Sequence, residues 1–316
     1  MNPNRPRSQV NQLMPEMAET SPDSTINGNE DLRFPAKSVI MADLGQHDRV
    51  GHQELLALVD MLSERDFRIL SSLRLAKYLV THQIQRLHFA ESATQATAIR
   101  AAASVMRKLR GYGLVKHFPR PIGGVRAGSG SYVWYLTEAG QRILVIRNKE
   151  EQPRRSHRYL EPSYTHIKHT LAIAECYVQL TEISRKHRKI ELQSLEWEPD
   201  CWRPYKKDSF DQILKPDLFA ATVNGGYEDR WFIEIDLDTE ALPVVIDKCK
   251  RYYFYFKTGT EQKQHKVFPV TAWIVPDEKR KLNMQTAINE TFGPAAKLFT
   301  IITADEFEPL IVGGAG

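Results

Sequence analysis

Apolar residues recur every three or four positions from Gly51 onward, which is the spacing of helices that bury one face. The first such series predicts a helix that ends near Leu62. Ser63 is a suitable N-cap for a second helix and Thr81 for a third, and the pair Ser92 and Gln95 fits a capping box that opens a fourth. The apolar stripe of this fourth helix is predicted to consist of Ile99, Ala103, Met106 and Leu109.

Two strand-like segments follow this helix, which Gly111 is predicted to end as a left-handed residue. They run from Leu114 to Phe118 and from Ser131 to Leu136, and the loop between them contains four glycines. Thr137 can cap a closing helix. Three helices followed by a two-stranded ribbon with a glycine-rich tip is the order of a winged helix-turn-helix unit, which is predicted from about residue 63 to residue 147.

The charge pattern predicts what this unit binds. No Asp or Glu occurs between Ser92 and Thr137, although basic residues are frequent there. In such units the outer face of the third helix, the one before the two strands, enters the major groove. Arginines of the wing contact the backbone or the minor groove. The candidate DNA contacts are Thr97, Arg100, Ser104, Arg107, Lys108, Arg110, Lys116, Arg120 and Arg126. We therefore expect binding to double-stranded DNA; the alternatives are an ordinary solvated basic face or a protein-binding winged helix.

The second half of the chain predicts a different architecture. From Thr165 onward the pattern reads helix, three strands, helix, strand, and then one more helix and strand. The third strand runs from Trp231 to Leu237, and Asn224-Gly225-Gly226 is a hairpin-type turn before it. Because side chains alternate along a strand, Trp231, Ile233 and Ile235 share one face, and Phe232, Glu234 and Asp236 share the other.

An acidic cluster is predicted on this strand. Glu234 and Asp236 lie beside Asp217, which begins the neighbouring strand. Three carboxylates of this kind can hold Mg²⁺, which would activate water and stabilise a phosphoryl transition state. The alternative is that Asp236, Asp238 and Glu240 only end a strand and cap the next helix.

Composition sets the remaining boundaries. Residues 1–50 are polar and lack periodicity, which predicts a disordered tail, and the charged, proline-containing residues 148–163 predict a linker. The expected fold class is α+β, with a winged-helix domain at 51–147 and an α/β domain at 164–316.

The three cysteines are widely spaced, and no signal peptide or membrane span is recognised, so we expect a cytoplasmic protein. The net charge of +4 is too mild to identify a partner by itself.

The second-half pattern resembles the restriction-endonuclease-like PD-(D/E)xK core. Pro216 and Asp217 match the start of its motif, and Glu234 matches its acid. Asp236 stands where the family has its catalytic lysine, and Lys248 on the following helix is the candidate substitute. The resemblance implies a metal-dependent nuclease in which Asp217 and Glu234 bind magnesium, with Asp236 as a further candidate ligand, and Lys248 positions water. His166 and His169 are too few ligands for a metal site, so we interpret them as surface or packing residues. The tyrosines from 252 to 255 have helical spacing, so we interpret them as core residues of a helix.

The chain as a whole, from about residue 63 to residue 310, resembles the replication-relaxation family of plasmids and conjugative elements. The resembling segments are RDFRIL, MRKLRGYGLVKHF, YLTEAG, KPDLFA, IEIDLDTE and KCKRYYFYF, in that order. The resemblance implies a DNA-binding accessory protein in plasmid replication or conjugative mobilisation, with a relaxase or replication initiator as partner. DNA binding would need no cofactor, and a homodimer is compatible with it. A magnesium-dependent DNA nuclease is the alternative function.

Overall fold

The computed structural model describes residues 50–118, 132–150 and 162–314. The predicted tail up to residue 49, residues 151–161 of the predicted linker, and the loop at 119–131 with Arg120 and Arg126 lie outside the described residues. Helices and short strands alternate in the first described part. They are α1 (His52–Met61), α2 (Glu64–Ala76), β1 (Leu79–Val80), α3 (Thr81–His88), α4 (Gln95–Gly111), β2 (Val115–His117), β3 (Val133–Leu136) and α5 (Glu138–Asn148).

The three short strands form an antiparallel sheet in the order β1-β3-β2. The predicted helices and the two predicted strands are confirmed in their order, as are the caps at Ser63 and Thr137, whereas β1 was not predicted. Other predicted helix ends are wrong. The cap of α4 is Thr94, whose hydroxyl accepts a hydrogen bond from the Thr97 amide at 3.2 Å, and the left-handed residue after α4 is Gly113. Thr81 lies inside α3, where its hydroxyl accepts a hydrogen bond from the Trp134 indole.

The buried stripe of α4 agrees with the prediction at Met106 and Leu109 and is displaced by one residue at its first two positions. Ala98 and Ala102 are buried with Met106 and Leu109, whereas Ile99 is 38% exposed. The sequence pattern favoured Ile99 because it is larger and more apolar than alanine. Small residues instead allow close packing of α4 in the core, and the larger Ile99 side chain lies at the surface.

A five-stranded mixed sheet is the centre of the second region. Its order is β10-β9-β8-β7-β4, with β8-β9 and β9-β10 parallel and the other pairs antiparallel. A separate hairpin of β5 and β6 was not predicted. The elements are α6 (Tyr164–Lys186), β4 (Ile190–Trp197), β5 (Arg203–Lys207), β6 (Phe210–Leu214), β7 (Leu218–Asn224), β8 (Tyr227–Ile235), α7 (Leu242–Thr258), α8 (Thr260–His265), β9 (Val270–Val275), α9 (Glu278–Phe292), β10 (Phe299–Thr303) and α10 (Phe307–Gly313).

The two faces of β8 bury different sets of residues, as the alternation predicted. Trp231, Ile233 and Ile235 belong to a hydrophobic cluster that includes residues of α6 and α10. Phe232 belongs to a second cluster with residues of α7 and α9. Glu234 lies on this second side, where α7 crosses the sheet. Helices thus cover both faces of a mixed sheet, and the fold class is α+β.

Helix α6 connects the two regions. Its Glu175 and Glu182 form ion pairs with Arg86 of α3. Arg185, near the end of α6, donates hydrogen bonds to the carbonyls of Arg86 and Leu87 at 2.8 and 2.6 Å. One hydrophobic cluster contains buried residues from both regions, so apolar packing and ion pairs together fix α6 against α3. No helix among the described residues has the length and apolar character to cross a membrane.

Gly140, in the first turn of α5, is required by a close approach of two backbones. A Cβ atom at this position would lie 2.1 Å from the carbonyl oxygen of Leu114. We expect Gly140→Ala to lower the free energy of unfolding by at least about 1–3 kcal/mol, the usual cost of overpacking a core. Gly111→Ala is the control, because no atom lies within 4 Å of its added Cβ. Urea unfolding measures the stability of both variants. Equal stability of Gly140→Ala and Gly111→Ala would contradict this account.

Candidate functional sites

The outer face of α4 is the first candidate site. Thr97, Arg100, Ser104 and Arg107 are all exposed on it, as predicted. The Nε atoms of Arg100 and Arg107 donate to carbonyls of their own helix at 3.2 and 3.4 Å, which holds the stems of both side chains along α4. Because the N-cap is Thr94, Thr97 and Arg100 lie in the first two turns, where recognition helices contact base edges.

Lys108 differs from the other predicted contacts. Its Nζ lies 2.6 Å from the Oδ2 atom of Asp66, which is 1% exposed. Burial alone would raise the pKa of Asp66, but Lys108 and Ser63 outweigh it and lower that pKa. Lys108 therefore anchors α4 to the first turn of α2. Arg110 is partly exposed at the end of α4, and Lys116 is half-buried on β2.

The second candidate site is a cluster at the end of the sheet where β7 begins and β8 ends. Residues Leu218 and Ile233 are paired in the antiparallel register, so Asp217 and Glu234 are brought close together. Lys248 of α7 places its Nζ 2.5 Å from Glu234 Oε2 and 3.6 Å from Asp217 Oδ1. The structure thus brings together the three residues that the sequence proposed as catalytic.

Two members of this cluster were not recognised from the sequence. His169 of α6 places its Nε2 3.3 Å from Asp217 Oδ2 and 3.1 Å from the Ile235 carbonyl oxygen. The hydroxyl of Tyr252 donates a hydrogen bond to Glu234. Tyr252 follows Lys248 by four residues, so helical spacing could have placed both on one face. The prediction that Tyr252 is a core residue is confirmed, and it contacts the cluster as well.

The negative charge of the carboxylates in this cluster is balanced by Lys248 and His169. Burial by itself raises the pKa of Asp217, but Lys248 and His169 outweigh burial and lower it to about 2. Burial lowers the pKa of Lys248, and Glu234 and Asp217 more than reverse this, so its pKa is raised. Complete burial raises the pKa of Glu234, an effect that Lys248 only partly offsets. Asp217 is therefore a stable carboxylate and Lys248 a stable cation.

Asp236 has other partners than this cluster. Its Oδ2 accepts from Arg280 Nε at 2.7 Å, and its Oδ1 accepts from the Asp238 amide at 2.7 Å. Arg280 also donates to the carbonyl of Glu240. Asp236 thus fixes the loop between β8 and α7, which agrees with the strand-ending alternative. The capping alternative is wrong for α7, because its N-cap is Ala241.

The predicted magnesium set was Asp217, Glu234 and Asp236. In the described parts of the chain, no three or more His, Cys, Asp or Glu side chains are grouped as a metal site. The carboxylates of Asp217 and Glu234 are oxygen donors of the type Mg²⁺ prefers, but Lys248 contacts both of them and His169 contacts Asp217. As arranged, these residues do not fit a magnesium ion.

A cleft of about 270 Å³ opens beside Asp217 and Lys248. Its lining also contains charged side chains that are exposed and of both signs, namely Glu198, Lys215, Glu240 and Arg251. Asp217 itself is only 6% exposed. The cluster is therefore reachable from solvent through an opening with a charged rim.

Comparison with known proteins gives one match. A family model described as replication-relaxation matches residues 70–271, well over half of the chain. The matched range includes α4 and all members of the acidic cluster. No curated protein and no solved structure matches significantly.

Proposed function

The chain belongs to the replication-relaxation family, and we propose that it is a sequence-specific, double-stranded DNA-binding protein that assists plasmid replication or conjugative mobilisation. The observation that carries the proposal is the exposed face of α4, where Arg100 and Arg107 project beside Thr97 and Ser104. We further propose that it acts in the cytoplasm, and that a relaxase or replication initiator is its partner. A homodimer would suit a DNA site with two half-sites.

The element order supports a winged helix for this unit. Helices α2, α3 and α4 are followed by the β2-β3 ribbon, and β1 completes a small sheet in the order β1-β3-β2. In that arrangement α4 corresponds to the recognition helix and α3 to the helix that supports it. The ion pairs of Arg86 hold α3 against α6, and the outer face of α4 is exposed.

The charge pattern supports nucleic acid over protein as the ligand. The chain has no acidic residue between Ser92 and Thr137, so carboxylates of this segment do not oppose an approaching phosphate backbone. Each phosphate neutralised by a Lys or Arg releases counterions and makes the affinity dependent on salt. A protein ligand would not require this one-signed surface.

The test is equilibrium binding of the full chain to fluorescently labelled duplex DNA at several salt concentrations. We expect the logarithm of the affinity to fall linearly with the logarithm of salt, with a slope of about −0.9 for each phosphate contacted. We also expect duplexes selected by this protein from a randomised library to bind more tightly than the unselected pool. Absence of binding at low salt would refute the proposal.

The alternative function is a metal-dependent DNA nuclease, and the convergence of Asp217, Glu234 and Lys248 at an open cleft is the observation in its favour. Against it, Lys248 contacts both carboxylates and His169 contacts Asp217. We expect supercoiled plasmid to be nicked no faster with magnesium by the native chain than by Asp217→Ala. Magnesium-dependent nicking that disappears in Asp217→Ala would establish the alternative.

A further inference from the structure

The β2-β3 ribbon and the cleft are neighbours, connected through the first turns of α6. Tyr78 contacts Tyr135 of the ribbon, with ring centroids 6.5 Å apart, and contacts His166 of α6 at 6.4 Å. One turn further along α6, His169 lies 3.3 Å from Asp217. Since a helical turn rises about 5.4 Å, the ribbon and the cleft are separated by less than one turn of B-DNA, about 34 Å.

Charged groups from both sides influence His166. Burial lowers the pKa of His166 and Lys77 lowers it further, whereas Glu198 of the cleft raises it. Lys77 is exposed at the end of α2, next to Tyr78. On the ribbon, Lys116 pairs with Tyr135 and shares its sheet face, because directly opposed residues point to the same side. Basic residues therefore occur on the ribbon, between the ribbon and the cleft, and at the cleft.

The rim of the cleft carries two exposed cations that the acidic cluster does not use. Lys215 stacks on Trp202, with its Nζ 4.2 Å from the ring centroid, and Arg251 projects from α7. Lys248, in contrast, is held by Glu234 and Asp217. Lysine and arginine at a rim of this kind contact phosphates of a nucleic acid backbone.

We propose that the cleft rim is a second contact site for the DNA duplex held by α4, in which Lys215 and Arg251 contact backbone phosphates, with Lys77 as a further contact between the ribbon and the cleft. This inference rests on the proposed function of the α4 face. It assigns the second region a role in positioning the duplex that requires no cleavage. Two exposed acids in the lining, Glu198 and Glu240, oppose phosphate binding there and limit its strength.

The test compares variants of the full chain on duplexes that the native protein selects from a randomised library. For Lys215→Ala combined with Arg251→Ala, we expect a salt slope shallower by about 2, because each phosphate that is no longer neutralised reduces the slope by about 1. We also expect a hydroxyl-radical footprint shortened at one end, with the selected base sequence unchanged. Glu198→Gln combined with Glu240→Gln is expected to increase affinity, because it removes two opposing charges.

Lys263→Ala combined with Lys266→Ala is the matched control. These exposed lysines lie beyond the C-terminal end of α7, whereas the cleft residues of that helix lie in its first three turns. A slope and footprint of the cleft double variant equal to those of the control would overturn the second contact site. If binding survives Arg100→Ala with Arg107→Ala, the proposed function itself fails. If binding requires these two arginines but the cleft double variant behaves like the control, only the second site is removed.

Discussion

Replacing both Arg100 and Arg107 with alanine is expected to weaken binding to the selected duplex by roughly 100-fold or more. Both side chains are exposed on the outer face of α4, one in its second turn and the other two turns later. A bidentate contact between arginine and guanine contributes about 1–3 kcal/mol of discrimination, and a factor of ten in affinity corresponds to about 1.4 kcal/mol. Fluorescence anisotropy at fixed salt measures the change.

The pattern of weakened binding identifies what each arginine contacts. An arginine on a base edge contributes to the preference for the selected sequence, so its removal reduces that preference. An arginine on a phosphate strengthens binding to all duplexes. Its removal therefore weakens binding to every duplex by the same factor and reduces the salt slope by about 1. Lys263→Ala with Lys266→Ala removes the same formal charge and should leave the affinity within about twofold, given the screening of distant charges. If this control weakens binding as much as the arginine double variant, net charge explains the affinity and the α4 face does not.

Lys108→Ala is a useful contrast on the same helix. Because Lys108 pairs with buried Asp66, its removal leaves a carboxylate without its cation. We expect the midpoint of thermal unfolding to fall, with a smaller decrease of DNA affinity than for the two arginines. The sequence placed Lys108 with the DNA contacts because position along a helix predicts a face, but a tertiary ion pair across 42 residues is not visible in a local pattern.

The sequence predicts the fold well wherever apolar and polar residues follow a regular spacing. The two faces of β8 follow from strict alternation, and the hairpin turn at Asn224 agrees with the β7-β8 connection. The hairpin of β5 and β6 was missed because Pro204 and several charged residues interrupt its apolar pattern. In α4 the first two positions of the stripe were displaced by one residue because hydrophobicity alone ranks Ile99 above the alanines that are in fact buried.

The sequence predicted the proximity of residues tied to a motif and missed residues that arrive from elsewhere in the fold. Asp217, Glu234 and Lys248 were identified from their places on two strands and the next helix. Arg280 engages Asp236 across 44 residues, and no spacing rule relates the two. His169 likewise reaches Asp217 from a helix that precedes it by one strand and a hairpin. The structure therefore changes the interpretation of Asp236 from a ligand to an anchor.

Replacing Lys248 with methionine is expected to give the largest decrease in stability, about 3–5 kcal/mol at neutral pH. Methionine keeps the apolar stem and removes the charge, so Asp217 and Glu234 remain buried without their shared cation. Removal of one partner from a buried pair typically costs this amount, because the remaining charge is not compensated. Urea unfolding at pH 7 measures the decrease.

The destabilisation is expected to shrink as the pH falls from 7 toward 4. In the native chain the pKa of Asp217 is lowered to about 2, so its contribution to stability is present above its unfolded pKa and disappears only as the pH falls through about 2. Without Lys248, the pKa of Asp217 rises, although His169 still lowers it, and the pKa of Glu234 rises further, so protonation as the pH falls reduces the penalty in the variant. The native chain gains stability over this range from Glu234, whose pKa is raised by burial, but none from Asp217, so the difference between the two chains narrows through Asp217.

Lys250→Met is the matched control for this prediction. Lys250 lies two residues further along α7 and pairs with Asp247 at 2.7 Å, but both side chains are exposed. Exposed pairs contribute about 0–1 kcal/mol, so the control should be nearly as stable as the native chain at every pH. Equal stability of Lys248→Met and Lys250→Met would mean that Lys248 does not compensate the buried carboxylates, and the assignment of Lys248 as their stabilising cation would be wrong.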